Sequence, residues 1–225
     1  MPNRCVVTGQ IVQDANGLSS DGFKKIQFIT HPYCNKCGAP LRYSKAVCKM
    51  CINDVFVFQD ALSIFIYDEH SKKLILKYKH GDRLNLTSVF AQWIVRYGAA
   101  MLEASDILIP VPLHSKRIRQ RMYNQAAELV KGIHQLTQKP YVLDGLIRVR
   151  PTKSQGQEDR NTRIRNMQEA FQVNPSLESR LQGKSITIVD DVMTTGATLN
   201  ACAQALLPLS PKKISVLTLG KVLLL

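Results

Sequence analysis

The stretch ITIVDDVMTTGATL, residues 186–199, decides the fold of this chain. Its first half is rich in β-branched residues and predicts a buried strand over residues 185–189, ending in two acidic residues. A short loop of Thr and Gly follows, and residues 197–207 have the apolar spacing of a helix. Strand, short loop and helix in this order are typical of α/β proteins built on a parallel sheet.

The same alternation of strands and helices continues along most of the chain. Further strands are predicted at residues 61–67, 106–111 and 214–219, and residues 142–149 are a strand or an irregular edge. Helices are predicted at residues 72–79, 86–102, 117–136 and 161–171, with a polar loop at 152–159. This order predicts an α/β fold, a parallel sheet flanked by helices, whose ligands bind outside the carboxyl ends of the strands.

The loop after the acidic pair has the residue types of an anion site. Unpaired N–H groups and the positive dipole end of the following helix attract an anion, and glycine lets the backbone approach it closely. The residues expected to contact the anion are Thr194, Thr195, Gly196, Ala197 and Thr198. Three of these are threonines whose hydroxyls add hydrogen-bond donors.

The acidic pair Asp190 and Asp191 suits a different part of the same ligand. Carboxylates accept hydrogen bonds from the two hydroxyls of a ribose, or bind a Mg²⁺ that shares those hydroxyls. The pattern therefore favours a ribose 5-phosphate, with both aspartates exposed at the strand end. A plain strand–turn–helix with a capping Thr explains only part of the pattern. Another kind of phosphate site stays open, although neither a Walker sequence nor a G-x-G-x-x-G is present.

The overall composition sets limits on function. The chain has 225 residues, enough for one medium domain and a small appendage, and its 45% of apolar residues favours a folded core. Thirty Lys and Arg against seventeen Asp and Glu give a net charge of +13, which favours nucleic acid, phosphorylated metabolites or an acidic membrane surface as partners. No apolar run could span a bilayer and no secretory signal opens the chain, so we expect a cytoplasmic protein.

Basic residues are concentrated in two clusters. The first comprises Lys116, Arg117, Arg119 and Arg121. The second comprises Arg148, Arg150, Lys153, Arg160, Arg163 and Arg165. Guanidinium groups bind phosphates in a bidentate manner, so these side chains could hold a pyrophosphate group or a DNA backbone. A solvated helix face is the third possibility, and the sequence leaves the three open.

Two Cys-x-x-Cys pairs mark a small module at the N-terminus. Cys34, Cys37, Cys48 and Cys51 offer four thiolates for a tetrahedral Zn²⁺. Since a site with four protein ligands is closed to substrate, the zinc is expected to be structural; an unliganded or redox-active set is the alternative. Turn-rich residues 1–57 are therefore predicted to form a separate cysteine-rich module, and residues 58–225 the main domain.

Several blocks of the sequence resemble one known family. VDDVMTTGATL, residues 189–199, resembles the phosphoribosyl pyrophosphate (PRPP) signature of type I phosphoribosyltransferases. Together with it, LKYKHGD (76–82), PVPLHSKRIRQRMYNQA (110–126) and TKSQGQEDRNTRIRNMQEAF (152–171) resemble the ComF family of competence-associated proteins, in the same order. One departure is Met122-Tyr123, where the family usually has Gly-Phe.

The resemblance implies a phosphoribosyltransferase fold that binds PRPP with Mg²⁺, preceded by zinc ribbons. It implies a pyrophosphate loop at Val111, Pro112, Leu113 and His114, and a mobile loop within residues 115–123 or 150–160. The family often carries two ribbons, and here the first is degraded: Cys5, Thr8, Ser19 and Gly22 stand where four ligands are expected.

The resemblance implies a role in DNA uptake and leaves two functions open. The first is an enzyme that transfers phosphoribose to an unknown acceptor, for which no catalytic residue is named. The second is a non-catalytic protein that handles single-stranded DNA and retains the PRPP site for regulation. Competence DNA-uptake proteins are the partners that this role implies.

Overall fold

The computed structural model describes residues 2–14, 17–43, 47–52, 56–80, 85–113, 123–149 and 170–223. The strands within these ranges are β1 (Asp60–Ile66), β2 (Ile107–Pro110), β3 (Leu146–Arg148), β4 (Phe171–Val173), β5 (Ser185–Met193) and β6 (Lys213–Lys221). The helices are α1 (Ser20–Lys25), α2 (Lys49–Ile52), α3 (Glu69–His80), α4 (Asn85–Tyr97), α5 (Ala99–Glu103), α6 (Gln125–Thr137), α7 (Glu178–Leu181) and α8 (Ala197–Leu206).

The main sheet has four parallel strands in the order β1-β6-β5-β2, which confirms the predicted fold class. The central strands are longer than predicted: β5 continues to Met193, which pairs with Lys221 of β6. The two aspartates therefore lie within a strand and not after its end. The two aspartates interrupt the local apolar pattern, but pairing with β6 extends the strand by four further residues, to Met193.

The other elements agree with the sequence in part. The predicted helix over residues 86–102 is divided at Gly98 into α4 and α5. Helix α6 begins after Asn124, whose side chain accepts a hydrogen bond from the Ala126 amide at 3.0 Å. Residues 117–122 lie outside the described ranges, as do residues 152–169. Phe171, predicted as the end of a helix, belongs instead to β4, which pairs with β3 in a separate antiparallel ribbon.

Both edges of the parallel sheet are covered by other segments. Along β1, the Ile29 amide donates to the Ile64 carbonyl at 2.8 Å and the Ala61 amide donates to the Asn35 carbonyl at 2.7 Å. Along β2, the Leu108 amide donates to the Pro140 carbonyl at 2.9 Å. Because an open strand edge invites pairing with other chains, these segments also protect the sheet from aggregation.

Apolar side chains fill both faces of the sheet. One face packs against helices α3, α4 and α6, with Tyr78, Phe90 and Leu129 fully buried. The other face packs against α8, and three of the four paired cysteines join that core: Cys34, Cys37 and Cys51. The N-terminal module thus shares a core with the main domain, while the predicted boundary between residues 57 and 58 stays a prediction. Within the described ranges, no helix has the length and apolarity to cross a membrane.

Gly38 provides a test of the contact between the cysteine module and β1. Its φ of +69° is strained for any other residue, and a Cβ atom there would lie 3.0 Å from the Ser63 backbone nitrogen. Gly38→Ala should lower the free energy of unfolding by the ~1–2 kcal/mol of a left-handed alanine and by a further ~1–2 kcal/mol from displacing the turn. Denaturant titration of the two proteins measures this loss.

Gly9 is the matched control for this change. It occupies the equivalent turn, with a φ of +78°, but a Cβ atom there would meet nothing within 4 Å. Gly9→Ala therefore carries the backbone strain without the steric clash. Equal losses of stability in the two variants would contradict the inferred contact with β1.

Candidate phosphate and metal sites

The predicted anion loop forms one tight turn at the start of α8. Gly196 precedes the helix with a φ of +83°, and the Asn200 amide donates to its carbonyl at 2.8 Å. A Cβ atom at Gly196 would lie 2.8 Å from Met193 Cε and 3.0 Å from Phe56 Cε1, so glycine is required by both conformation and space. Thr194, Thr195 and Ala197 are exposed and Thr198 is half-buried, an arrangement open to an anion.

The acidic pair lies just before this loop, on the edge of the sheet where β5 ends. Asp190 and Asp191 are half-buried, so the expectation of full exposure is wrong. The cause is the extension of β5, which sets the pair between neighbouring elements. The Asp190 carboxylate accepts a hydrogen bond from the Asp191 amide at 2.8 Å. Asp191 Oδ1 lies 2.8 Å from the Lys79 ammonium group at the end of α3.

The electrostatics of the pair favour a ligand that supplies positive charge or hydroxyl donors. Burial and the adjacent Asp191 carboxylate raise the pKa of Asp190 to about 7, against the weaker opposing effects of Lys79 and Arg148. Two carboxylates so close cannot both ionise without a cost. A divalent cation or a pair of ribose hydroxyls would reduce that cost, because both stabilise the ionised form.

Two basic residues at this site escaped the sequence analysis or were placed elsewhere by it. Lys79 belongs to the block LKYKHGD, which resembles the family but has no function predicted from the sequence. Arg148 was assigned to the second basic cluster; its guanidinium carbon lies 5.3 Å above the Phe171 ring, and its charge acts on Asp190. The family block was the available signal for Lys79, whereas nothing local indicated the position of Arg148.

The predicted pyrophosphate loop follows β2, the neighbour of β5. Val111 and Pro112 are buried and Leu113 is half-buried, and the Val111 carbonyl accepts a hydrogen bond from the Asn124 side chain at 3.0 Å. Since adjacent parallel strands end at the same edge, this loop starts beside the acidic pair. The remaining candidates of this region lie outside the described residues: His114, Lys116, Arg117, Arg119 and Arg121. The same holds for the second cluster from Arg150 to Arg165 and for the expected mobile loop, of which only Tyr123 is described.

The four paired cysteines form one compact cluster. Their sulfur atoms all lie within 4.8 Å of one another, and Cys37 Sγ and Cys48 Sγ are 3.8 Å apart. A tetrahedral zinc site with bonds of ~2.3 Å places its sulfurs about 3.8 Å apart, so the donor set fits Zn²⁺. Burial raises the pKa of the Cys37 thiol to about 12, and a bound cation would offset that cost of ionisation. The geometry supports a closed, structural zinc site.

The degraded ribbon keeps its fold without the ligands of a metal. The Thr8 and Ser19 hydroxyls lie 2.9 Å apart, and Ser19 Oγ accepts a hydrogen bond from the Gly22 amide at 3.1 Å. A Cβ atom on Gly22 would lie only 2.5 Å from Cys5 Sγ, which leaves no room for a fourth thiolate. Hydrogen bonds among Thr8, Ser19 and Gly22 thus connect the positions at which a metal-binding ribbon would have ligands.

The anion loop and α8 contact β6 and the segment that follows the cysteine module. The Lys221 ammonium group, at the end of β6, donates to the Thr194 carbonyl at 2.7 Å. The Val57 amide donates to Asn200 Oδ1 of α8 at 2.8 Å, and the adjacent Phe56 ring covers Gly196. None of these contacts was foreseen from the sequence, because the partners are far apart along the chain.

Comparison with known proteins identifies two domains in this order. The model of a double zinc ribbon domain matches residues 1–52, and that of a phosphoribosyl transferase domain matches residues 118–221. Competence protein F of Haemophilus influenzae is 29% identical over 224 residues, which cover 97% of this chain and 96% of that protein.

Two other relatives extend the comparison. DNA utilization protein YhgH of Escherichia coli strain K12 is 28% identical over 179 residues, 77% of each chain. Competence protein ComFC of Bacillus subtilis is 27% identical over 190 residues, 81% of this chain and 75% of that protein. Relatives named for competence thus match most of the chain, ribbon and transferase domain alike, and these matches confirm the resemblance to the ComF family.

Proposed function

We propose that this protein binds PRPP together with Mg²⁺ at the carboxyl edge of its sheet, in the service of DNA uptake. The observation that carries the proposal is the glycine turn at Gly196, which opens a helix directly after the strand that bears Asp190 and Asp191. An anion site and a hydroxyl-accepting pair on one strand–loop–helix match the two halves of a ribose 5-phosphate. The DNA-uptake part of the proposal is supported by the names of the relatives.

Each part of the site has a role in binding such a ligand. Backbone amides and hydroxyls of residues 194–198 would bind the 5-phosphate. Asp190 and Asp191 would accept the ribose hydroxyls, with Lys79 displaced from Asp191 or retained beside the ligand. Residues 111–114 and the basic cluster that follows would hold the pyrophosphate. Mg²⁺, when bound, would neutralise charge on the pyrophosphate.

Transfer of the phosphoribosyl group is the reaction open to such a site. As pyrophosphate leaves C1 of the ribose, positive charge develops on the sugar, and the half-buried carboxylates would stabilise it electrostatically. The acceptor and a general base are not assigned. Release of pyrophosphate from PRPP, assayed with and without single-stranded DNA, tests whether the protein turns PRPP over.

Asp190→Asn separates a binding role from a structural one. The pKa of Asp190 is raised above its ordinary value of 3.8, so the folded protein loses stability as pH rises from about 4 to about 7 and the group ionises. Removing this carboxylate should therefore raise the thermal midpoint at pH 8. The same change should weaken PRPP binding between about tenfold and a hundredfold, the ~1.5–3 kcal/mol of a hydrogen bond to a charged group.

Asp106→Asn is the control, since Asp106 accepts a hydrogen bond from the Ser185 amide at the opposite end of β5. That contact lowers the pKa of Asp106, so its stabilising effect is present at neutral pH and is lost in acid. The control should lose stability at pH 8 and bind PRPP normally. Calorimetry that finds full PRPP affinity in Asp190→Asn would remove the acidic pair from the proposed site.

The metal content follows from the two unequal ribbons. We expect one Zn²⁺ per chain, bound by Cys34, Cys37, Cys48 and Cys51, and none at Cys5. Elemental analysis should find that Cys37→Ser loses the metal, whereas Cys5→Ser keeps it. Because metal binding contributes to folding, the first variant should also lose order in the N-terminal module. Two zinc ions per wild-type chain would contradict the expectation.

A second candidate function is the non-catalytic handling of single-stranded DNA. The net charge of +13 and the printed names of the relatives favour it. Three engaged arginines would give a slope of log K against log salt of about −2, at ~0.7 per neutralised phosphate.

Changing Arg117, Arg119 and Arg121 together to Gln should flatten that slope, and PRPP should compete with DNA if both ligands use these side chains. Lys72, Lys73 and Lys77, exposed on α3, provide a charge-matched triple control that should keep most of the slope. Fluorescence anisotropy titration of an oligonucleotide measures the salt dependence of binding in each variant and the competition by PRPP. Binding that does not depend on salt, or no binding at low salt, would contradict this second function and leave PRPP binding as the remaining proposal.

A further inference from the structure

We propose that the buried Lys221 is a positioning residue that holds the phosphate loop in its binding conformation. The inference rests on the proposed function, since it concerns the same loop.

The first step is the position of Lys221. It is the last residue of β6, where it pairs with Met193 of β5 on one side and Ile66 of β1 on the other. The residue is 5% exposed although it carries an ammonium group. A charge so buried requires partners, and the Thr194 carbonyl at 2.7 Å is one of them.

The second step is the charge that compensates the ammonium group. Burial lowers the pKa of Lys221, and the effects that oppose this shift come from the sulfurs of Cys37, Cys51, Cys48 and Cys34. At 2.7 Å, the Thr194 carbonyl is close enough for a charge-assisted hydrogen bond, which favours the ammonium form of the buried side chain.

The third step is the effect on the loop. In a trans peptide the C=O and N–H groups point in opposite directions. A Thr194 carbonyl fixed toward the buried Lys221 therefore turns the next amide, that of Thr195, away from the core. Thr195 is exposed, so this donor faces the space where an anion would bind. The ammonium group thus sets the orientation of one donor of the anion loop before any ligand arrives.

Two further contacts connect the ribbon to the same loop. Phe56 stacks on Phe58 with ring centroids 4.7 Å apart, and its ring closes the space around Gly196. Phe58 belongs to the core cluster that contains Cys34, Cys37 and Cys51. The phosphate loop is therefore packed against the core of the cysteine module as well as bonded to Lys221.

The test uses the full-length, zinc-loaded protein and two independent measurements. Lys221→Met keeps the length of the side chain and removes its charge; Lys221→Arg keeps the charge. Lys213→Met is the matched control, because Lys213 begins the same strand and pairs with Asp60 at 2.8 Å. Hydrogen exchange of the amides at residues 194–199 measures loop order. Calorimetric titration with PRPP and Mg²⁺ measures affinity.

Lys221→Met should keep its zinc, exchange faster in the loop and bind PRPP about tenfold more weakly, the size of one charge-assisted hydrogen bond. Lys221→Arg should recover part of both properties, and Lys213→Met should change neither.

Normal hydrogen exchange in the loop and normal PRPP affinity in Lys221→Met overturn the inference. A wild-type protein that does not bind PRPP would contradict the proposed function. In that case the hydrogen-exchange measurement alone tests whether Lys221 orders the loop. If Lys221→Met does not fold, Lys221→Gln, which keeps a donor but no charge, is judged by the same criteria.

Discussion

The structure depends on the parallel pairing between β5 and β6. This ladder runs from Ser185 opposite Lys213 to Met193 opposite Lys221, and the Val222 amide extends it with a hydrogen bond to the Met193 carbonyl at 3.0 Å. The length of this ladder decides the positions of the acidic pair and of the phosphate loop. If the ladder ended at Val189, Asp190 and Asp191 would belong to a loop. Because it continues, the pair is held on a rigid strand and the phosphate loop starts beside a buried lysine.

The N-terminal cysteine module covers one edge of the main sheet and shares a core with it. A parallel sheet of four strands has two open edges, and the edge of β1 is closed by Ile29 and Asn35 of the N-terminal module. The same module contributes cysteine side chains to the core beneath α8. The N-terminal module thus covers one edge of the sheet and forms part of the core beneath α8.

Local patterns in the sequence were sufficient for most of the fold. Runs of β-branched residues predicted the central strands, and Gly196 with its threonines predicted the loop. The spacing of the cysteines predicted a cluster that the structure confirms. The sequence did not give the length of β5, since Asp190-Asp191 interrupts the apolar pattern and only pairing with β6 extends the strand. Nor did it give Lys79 or Lys221, whose partners are distant in the chain.

The backbone of the first ribbon is another feature that could not be predicted from the sequence. The sequence showed only one surviving cysteine in the first ribbon, without revealing that its backbone is intact. The Cys5 amide donates to the Gln10 carbonyl and the Cys34 amide to the Ala39 carbonyl, both at 2.8 Å, and glycine follows each turn. The two turns thus share the same backbone hydrogen bonds, although only the second carries a full set of cysteine ligands.

The electrostatics of Asp190 indicate how the site and its ligand are matched. The folded protein holds two carboxylates side by side with one ammonium group, and one carboxylate is left with a pKa near 7. Strongly perturbed pKa values of this kind are concentrated at functional sites. Ribose hydroxyls or a divalent cation would stabilise the ionised form without moving the strand. A ligand of that chemistry would therefore gain binding energy by relieving a repulsion between the two carboxylates that folding leaves in place.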